Sequence, residues 1–195
     1  MHPIIRSFAL SAAIALCAPF ASATVLNFDD IVGPDDYAAV PGSYGGLDWS
    51  ASGFSVMTSE SWPFTAHSGQ GRVAADWIDG GPSANTIRFL APTVFDGAWF
   101  SGYGDYSVSF DLYLDGRKVA SSASLVLSAS PAFLDAGWDG AIDTIVVSSG
   151  AQGAYVMDDL SFEGAAEVPE PGSLALVLAG IGLAGAVRRR GFKAG

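Results

Sequence analysis

Between residues 24 and 167, apolar side chains recur at alternate positions in short runs, and no stretch of ten or more residues keeps a helical period. The clearest run is Tyr106 to Leu114. Tyr106, Val108, Phe110, Leu112 and Leu114 share one face, while Ser107, Ser109, Asp111 and Tyr113 share the other. Asp115-Gly116 then predicts a two-residue hairpin, because a type I′ turn needs positive φ at both positions. Such a loop opposes Leu114 with Arg117, Leu112 with Val119, Phe110 with Ser121 and Val108 with Ala123. Val119, Ala123, Leu125 and Leu127 are therefore expected to point inward. Shorter runs predict strands at Val25–Phe28, Phe54–Thr58, Arg72–Trp77, Thr86–Leu90, Ile142–Val147 and Tyr155–Phe162. Pro34, Pro41, Pro63, Pro82, Pro92 and Pro131 fall between them, where a missing amide proton is tolerated. Many short antiparallel strands with Gly-rich turns predict an all-β fold, a jelly-roll-like two-sheet sandwich over residues 24–167.

Both ends break this pattern. Arg6 precedes an apolar run from Phe8 to Phe20, and Ala21-Ser22-Ala23 supplies the small residues read by signal peptidase, so residues 1–23 are expected to be a secretory signal peptide. Cys17, the one cysteine, lies inside that run, so the exported chain is expected to fold with neither disulfide nor thiol chemistry. At the other end, Val168-Pro169-Glu170-Pro171-Gly172-Ser173 leads into an apolar stretch from Leu174 to Val187 and then Arg188-Arg189-Arg190. As a helix this stretch reaches roughly 21 Å at about 1.5 Å per residue, short of a full bilayer unless arginines snorkel. A single transmembrane helix with the basic cluster cytoplasmic leaves residues 24–167 outside the inner membrane.

Charge separates the same segments. Five of the nine basic residues lie in the two ends, and residues 24–167 hold 19 acidic against 4 basic residues, a formal −15. That balance argues against a nucleic-acid partner, which needs cations against its phosphates, and against adsorption on an anionic membrane.

The string VPEPGSLALVLAGIGLAGAVRRR resembles the PEP-CTERM sorting signal. The resemblance implies recognition by an exosortase, an integral-membrane transpeptidase of Gram-negative bacteria that make exopolysaccharide. Pro169, Glu170 and Pro171 would form the motif, Leu174–Val187 the helix and Arg188, Arg189 and Arg190 the tail, within residues 168–190. Transient anchoring followed by display at the cell surface or in the matrix is the implied fate. Asn27-Phe28-Asp29-Asp30, Tyr44–Trp49, Phe95–Phe100, Gly137–Asp143 and Val156–Leu160 are similar to a recurrent ectodomain of such proteins, one without an assigned activity.

Catalytic chemistry is sparse between the ends. His67 is the single histidine there, set in a Thr-Ala-His-Ser-Gly segment that reads as an exposed loop, without a Gly-x-Ser-x-Gly elbow. No Cys/His cluster suits zinc, and no Gly-rich run suits a phosphate. The expectation is a non-enzymatic surface or matrix protein, with a carbohydrate-binding module as the alternative. Adjacent aspartates give a candidate calcium site: Asp29 and Asp30 beside the first strand, Asp158 and Asp159 in the last, brought together if those strands meet. Alternation places Asp158 on the face of Val156, Leu160 and Phe162, where a carboxylate needs a cation or several donors. Among the tryptophans, Trp49, Trp77, Trp99 and Trp138 read as core or turn anchors. Trp62, between Ser59-Glu60-Ser61 and Pro63, is the candidate for stacking on extracellular polysaccharide.

Overall fold

A computed structural model describes residues 23–60, 63–75 and 82–163. The expected signal peptide up to residue 22, the expected sorting segment at residues 168–190, and Trp62 and Trp77 lie outside the described residues. Apart from one short 3-10 turn at Pro34–Asp36, the regular elements of the described chain are all strands, arranged as two antiparallel sheets with a shared core, and the all-β sandwich is the observed fold.

One sheet, called sheet A, runs β12 (Ala132–Asp135), β8 (Phe95–Gly102), β14 (Tyr155–Glu163), β6 (Arg72–Ala75), β5 (Phe54–Met57), β2 (Tyr37–Ala39), with β1 (Ala23–Leu26) also paired to β14. Sheet B runs β10 (Arg117–Ser121), β9 (Ser107–Leu114), β13 (Ile142–Ser149), β7 (Ser83–Thr93), β4 (Leu47–Asp48), β3 (Ser43–Tyr44), with β11 (Leu125–Val126) joining β9. From β6 to β9, and again from β12 to β14, successive strands alternate between the sheets, as in a jelly roll. The first and last strands do meet: Leu26 lies opposite Leu160.

Inward positions follow the two-residue period. Val108, Phe110 and Leu112 of β9, Ile145 and Val147 of β13, and Ile87 of β7 are all buried. They meet an aromatic layer in which Phe110 contacts Phe95 edge-on and Phe100 at a tilt, and Phe100 and Phe54 both contact Tyr155 edge-on. In a domain without disulfides this layer carries much of the cohesion, each edge-on pair adding about 0.5–1.5 kcal/mol beyond burial.

Three expectations are corrected. Asp115 and Gly116 do form the tight turn, with φ of 51° and 72°. The returning strand, however, slips by one residue: Lys118 faces Tyr113 but Ala120, not Val119, faces Leu112. The bulge lets Val119 and Ala120 both pack against the core, and Ala123 is left exposed while Leu127 is buried. Pro92 lies within β7, at the bulge where β13 pairs Thr144 with Arg88 and Ile142 with Thr93, so its missing amide interrupts no ladder there. Strands β8 and β12 were not anticipated, because Gly97 and the apolar Phe95, Ala98 and Phe100 break a clean alternation.

Candidate functional site

The last strand departs from regular pairing where its two aspartates lie. Tyr155 and Met157 belong to the core, so Asp158 falls on the outer face of sheet A, directly opposite Trp99 of β8. Asp159 then takes φ 45°, and the register with β8 shifts between Asp158 and Ser161. The skipped position returns Leu160 and Phe162 to the core. The sequence expectation that Asp158 shares a face with Leu160 and Phe162 is thus overturned by a bulge, which simple alternation does not foresee.

Asp158 is nonetheless only 2% exposed, because residues 63–71 run over it as a strap. Its Oδ2 accepts the backbone N–H of His67 at 2.8 Å and of Ser68 at 2.9 Å, and its Oδ1 accepts the Asp159 N–H at 2.7 Å. Burial pushes its pKa up to about 7. The amide donors pull the other way, and the neighbouring Asp159 carboxylate pushes upward again. Asp159 holds the strap by side chains: its Oδ2 lies 2.6 Å from His67 Nδ1, and its Oδ1 accepts the Ser68 hydroxyl at 2.8 Å. The His67 ring lies flat on Trp99, centroids 3.5 Å apart and planes 10° from parallel, with Phe133 edge-on to Trp99. Upstream, Ser101 donates to the Thr65 carbonyl at 2.8 Å, and Phe64 packs edge-on against Tyr103.

The strap's other end belongs to Asp29. Its Oδ1 accepts the N–H groups of Gln70 at 2.8 Å and Gly71 at 2.7 Å, and Gly69 turns beside it with φ 50°. Asp30 takes the Tyr44 hydroxyl at 2.6 Å, and burial first, then Asp30, raises the tyrosine's pKa. The four aspartates therefore gather near the junction of first and last strands, and what links Asp29 to Asp158 and Asp159 is the strap. Among the described residues, no group of three or more His, Cys, Asp or Glu side chains is arranged to hold a metal ion. His67 is an exposed loop residue, as expected, but one held by Asp159 and Trp99. Neither its pairing to Asp159 nor its stacking on Trp99 was legible, since both partners lie far along the chain.

Of the expected core tryptophans, Trp49 is buried, with its indole N–H on the Tyr44 carbonyl at 3.0 Å. Trp99 is half-buried under His67, and Trp138 is 39% exposed, a turn residue rather than core.

Sheet B offers a different surface. Its outer face carries a cross-strand row of Lys118, Tyr113, Thr144, Arg88 and Asp48. A cleft of about 450 Å³ is lined by Arg88, Tyr113, Asp143 and Thr144, among others. The acids here are partly engaged. Asp143 accepts from Thr144 Oγ1 and the Asp115 N–H, Asp111 from Lys118 and Ser121, and Asp48 from Ser50 twice. Among the described residues, the Arg88 guanidinium and the Tyr113 hydroxyl make no hydrogen bond.

Comparison with protein families decides the question of delivery: residues 167–190 match the model of the PEP-CTERM protein-sorting motif. The chain carries a PEP-CTERM sorting motif. The match contains Pro169, Glu170, Pro171 and Arg188–Arg190, the residues on which the resemblance rested. A PEP-CTERM tail implies processing by an exosortase after transient membrane anchoring, and export to the cell surface. No curated protein matches this chain.

Proposed function

We propose that the sandwich is a non-enzymatic module of the cell surface or extracellular matrix, put in place by its PEP-CTERM tail. The supporting observation is how the most catalysis-like cluster is spent. His67 and Asp159 are paired as an acid–base dyad would be, yet the neighbouring Ser68 hydroxyl donates to Asp159, not to the imidazole. The Ser101 hydroxyl is committed to Thr65, and Asp158 is roofed by the strap. Asp158 Oδ2, both Asp159 carboxylate oxygens and the Ser101 hydroxyl all fasten residues 63–71 to sheet A.

Two experiments test this reading. Replacing Arg188–Arg190 with glutamines should leave unprocessed chain in the membrane fraction; surface material whose intact mass still includes residues 174–195 would refute the processing step. The exported protein should show no turnover of ester or glycoside substrates, and an activity abolished by His67→Gln would refute the non-enzymatic assignment.

Sugar binding is the second reading. It is favoured by the Tyr113 hydroxyl and Arg88 guanidinium, which make no hydrogen bond among the described residues and stand on one sheet face beside a cleft.

A further inference from the structure

We propose that the outer face of sheet B binds an acidic polysaccharide, with a pyranose ring on Tyr113 and a uronate carboxylate on Arg88. This rests on the sugar-binding reading and names its ligand class. Thr144 of β13 is the register partner of both Tyr113 and Arg88, so the two side chains stand on one line across three strands. At about 4.8 Å per strand step they lie roughly 10 Å apart, a span that two linked sugar rings can bridge.

The hydrogen-bonding balance sets the ligand's chemistry. Asp48 and Asp111 each accept protein donors through Oδ1, and Asp143 through both oxygens. Arg88, which lies opposite Asp48, and the Tyr113 hydroxyl keep their N–H and O–H donors free of hydrogen bonds among the described residues, and these donors suit a ligand rich in acceptor oxygens. Arginine's planar fork fits a carboxylate best. Tyr113 has no ring partner among the described residues, which leaves an apolar surface for the C–H face of a sugar.

Charge points the same way. Of the four Lys and Arg in residues 24–167, Arg72 is buried, and Arg88, Arg117 and Lys118 are all exposed on sheet B. Against Asp48, Asp111, Asp115 and Asp143, these three cations come within one charge of balance, on a body that is otherwise strongly negative. A polyanion is repelled less here than elsewhere. An acidic peptide fits less well. The row lies on strands β9, β13 and β7, each paired on both sides, so no open edge accepts an added strand.

The test is retention of the full chain, in detergent, on immobilised polyguluronate and on an immobilised neutral glucan, for wild type, Arg88→Gln and Tyr113→Ala. Thermal unfolding of each variant checks that both remain folded. The expected result is retention on polyguluronate that weakens with salt, falls at least tenfold in either variant, and exceeds retention on the glucan. Retention on the glucan alone would keep sugar binding and overturn the acidic assignment. Retention on neither would overturn both, and binding unchanged in folded variants would overturn the site.

Discussion

Asp158 sets up a pH dependence of stability whose sign and size follow from its surroundings. An aspartate in the unfolded chain ionises near 3.9, whereas burial under residues 63–71 raises Asp158 to about 7 in the folded protein. Between those values the folded state holds a proton that the unfolded state has released, so stability falls as pH rises. The contribution is fully present below about pH 4 and lost once pH passes about 7. At about 1.4 kcal/mol for a tenfold change in proton affinity, the rise from 3.8 to about 7 amounts to roughly 4 kcal/mol. For a chain of this size that lowers the unfolding midpoint by on the order of 10 °C. Other acids also repel one another more strongly as pH rises, and Asp158→Asn separates the two effects. The substituted asparagine retains a carbonyl oxygen for the His67 and Ser68 amides but cannot ionise. Circular-dichroism melts of both full chains from pH 4.5 to 8 should give a steep decline for wild type and a shallow one for the variant. Parallel declines would refute the reasoning, because the titrating group would then lie elsewhere.

Further outcomes follow from the strap and the core. Asp158→Ala leaves three backbone donors unmatched, at about 1–3 kcal/mol each where they stay buried, and should expose residues 63–71 to protease before global unfolding. Gly69→Ala meets both a φ of 50° and the Asp29 carboxylate, so it should lower the midpoint measurably and open the Gln70–Gly71 end of the strap in hydrogen exchange. Phe110→Ala removes a fully buried ring shared by both sheets and should cost about 3–5 kcal/mol in denaturant melts. Unfolding midpoints with excess calcium and with chelator should coincide, since the Asp29 and Asp158 carboxylates are already occupied by amide donors; a clear rise with calcium would instead join these acids through an ion.

The parts of this molecule legible in sequence are those governed by local periodicity. Alternation in β9 and the Asp115-Gly116 pair encode a hairpin because turn geometry and strand facing are both short-range properties. The tail was legible for another reason: three chemically distinct parts in a fixed order make a specific signal without any fold. The register slip at Val119 was not legible, because packing of both Val119 and Ala120 against the core favours the bulge, and that gain appears only once the second sheet is present.

The strap shows the same limit more sharply. An Asp-Asp pair in a strand reads as one residue in and one out, which made Asp158 a core-facing acid in need of a cation or several hydrogen-bond donors. The fold supplies the donors, but on the outer face. Asp159 adopts a left-handed conformation, readily tolerated by Asp because its short side chain can bond locally. The extra residue lets Leu160 and Phe162 reach the core while Asp158 stays on the outer face. That face would be wet if residues 63–71 did not cross it, and they cross because Asp158, Asp159 and Asp29 present acceptors to their amides and side chains. Strap and bulge meet at Asp159: its left-handed backbone returns Leu160 and Phe162 to the core, its carboxylate holds His67 and Ser68, and without the strap the burial of Asp158 would have no cause. Neither half is visible alone, since His67 and Asp159 stand 92 positions apart. A sandwich with no disulfide in its exported part thereby ties a loop to its last strand, using acids that its composition alone would assign to solubility.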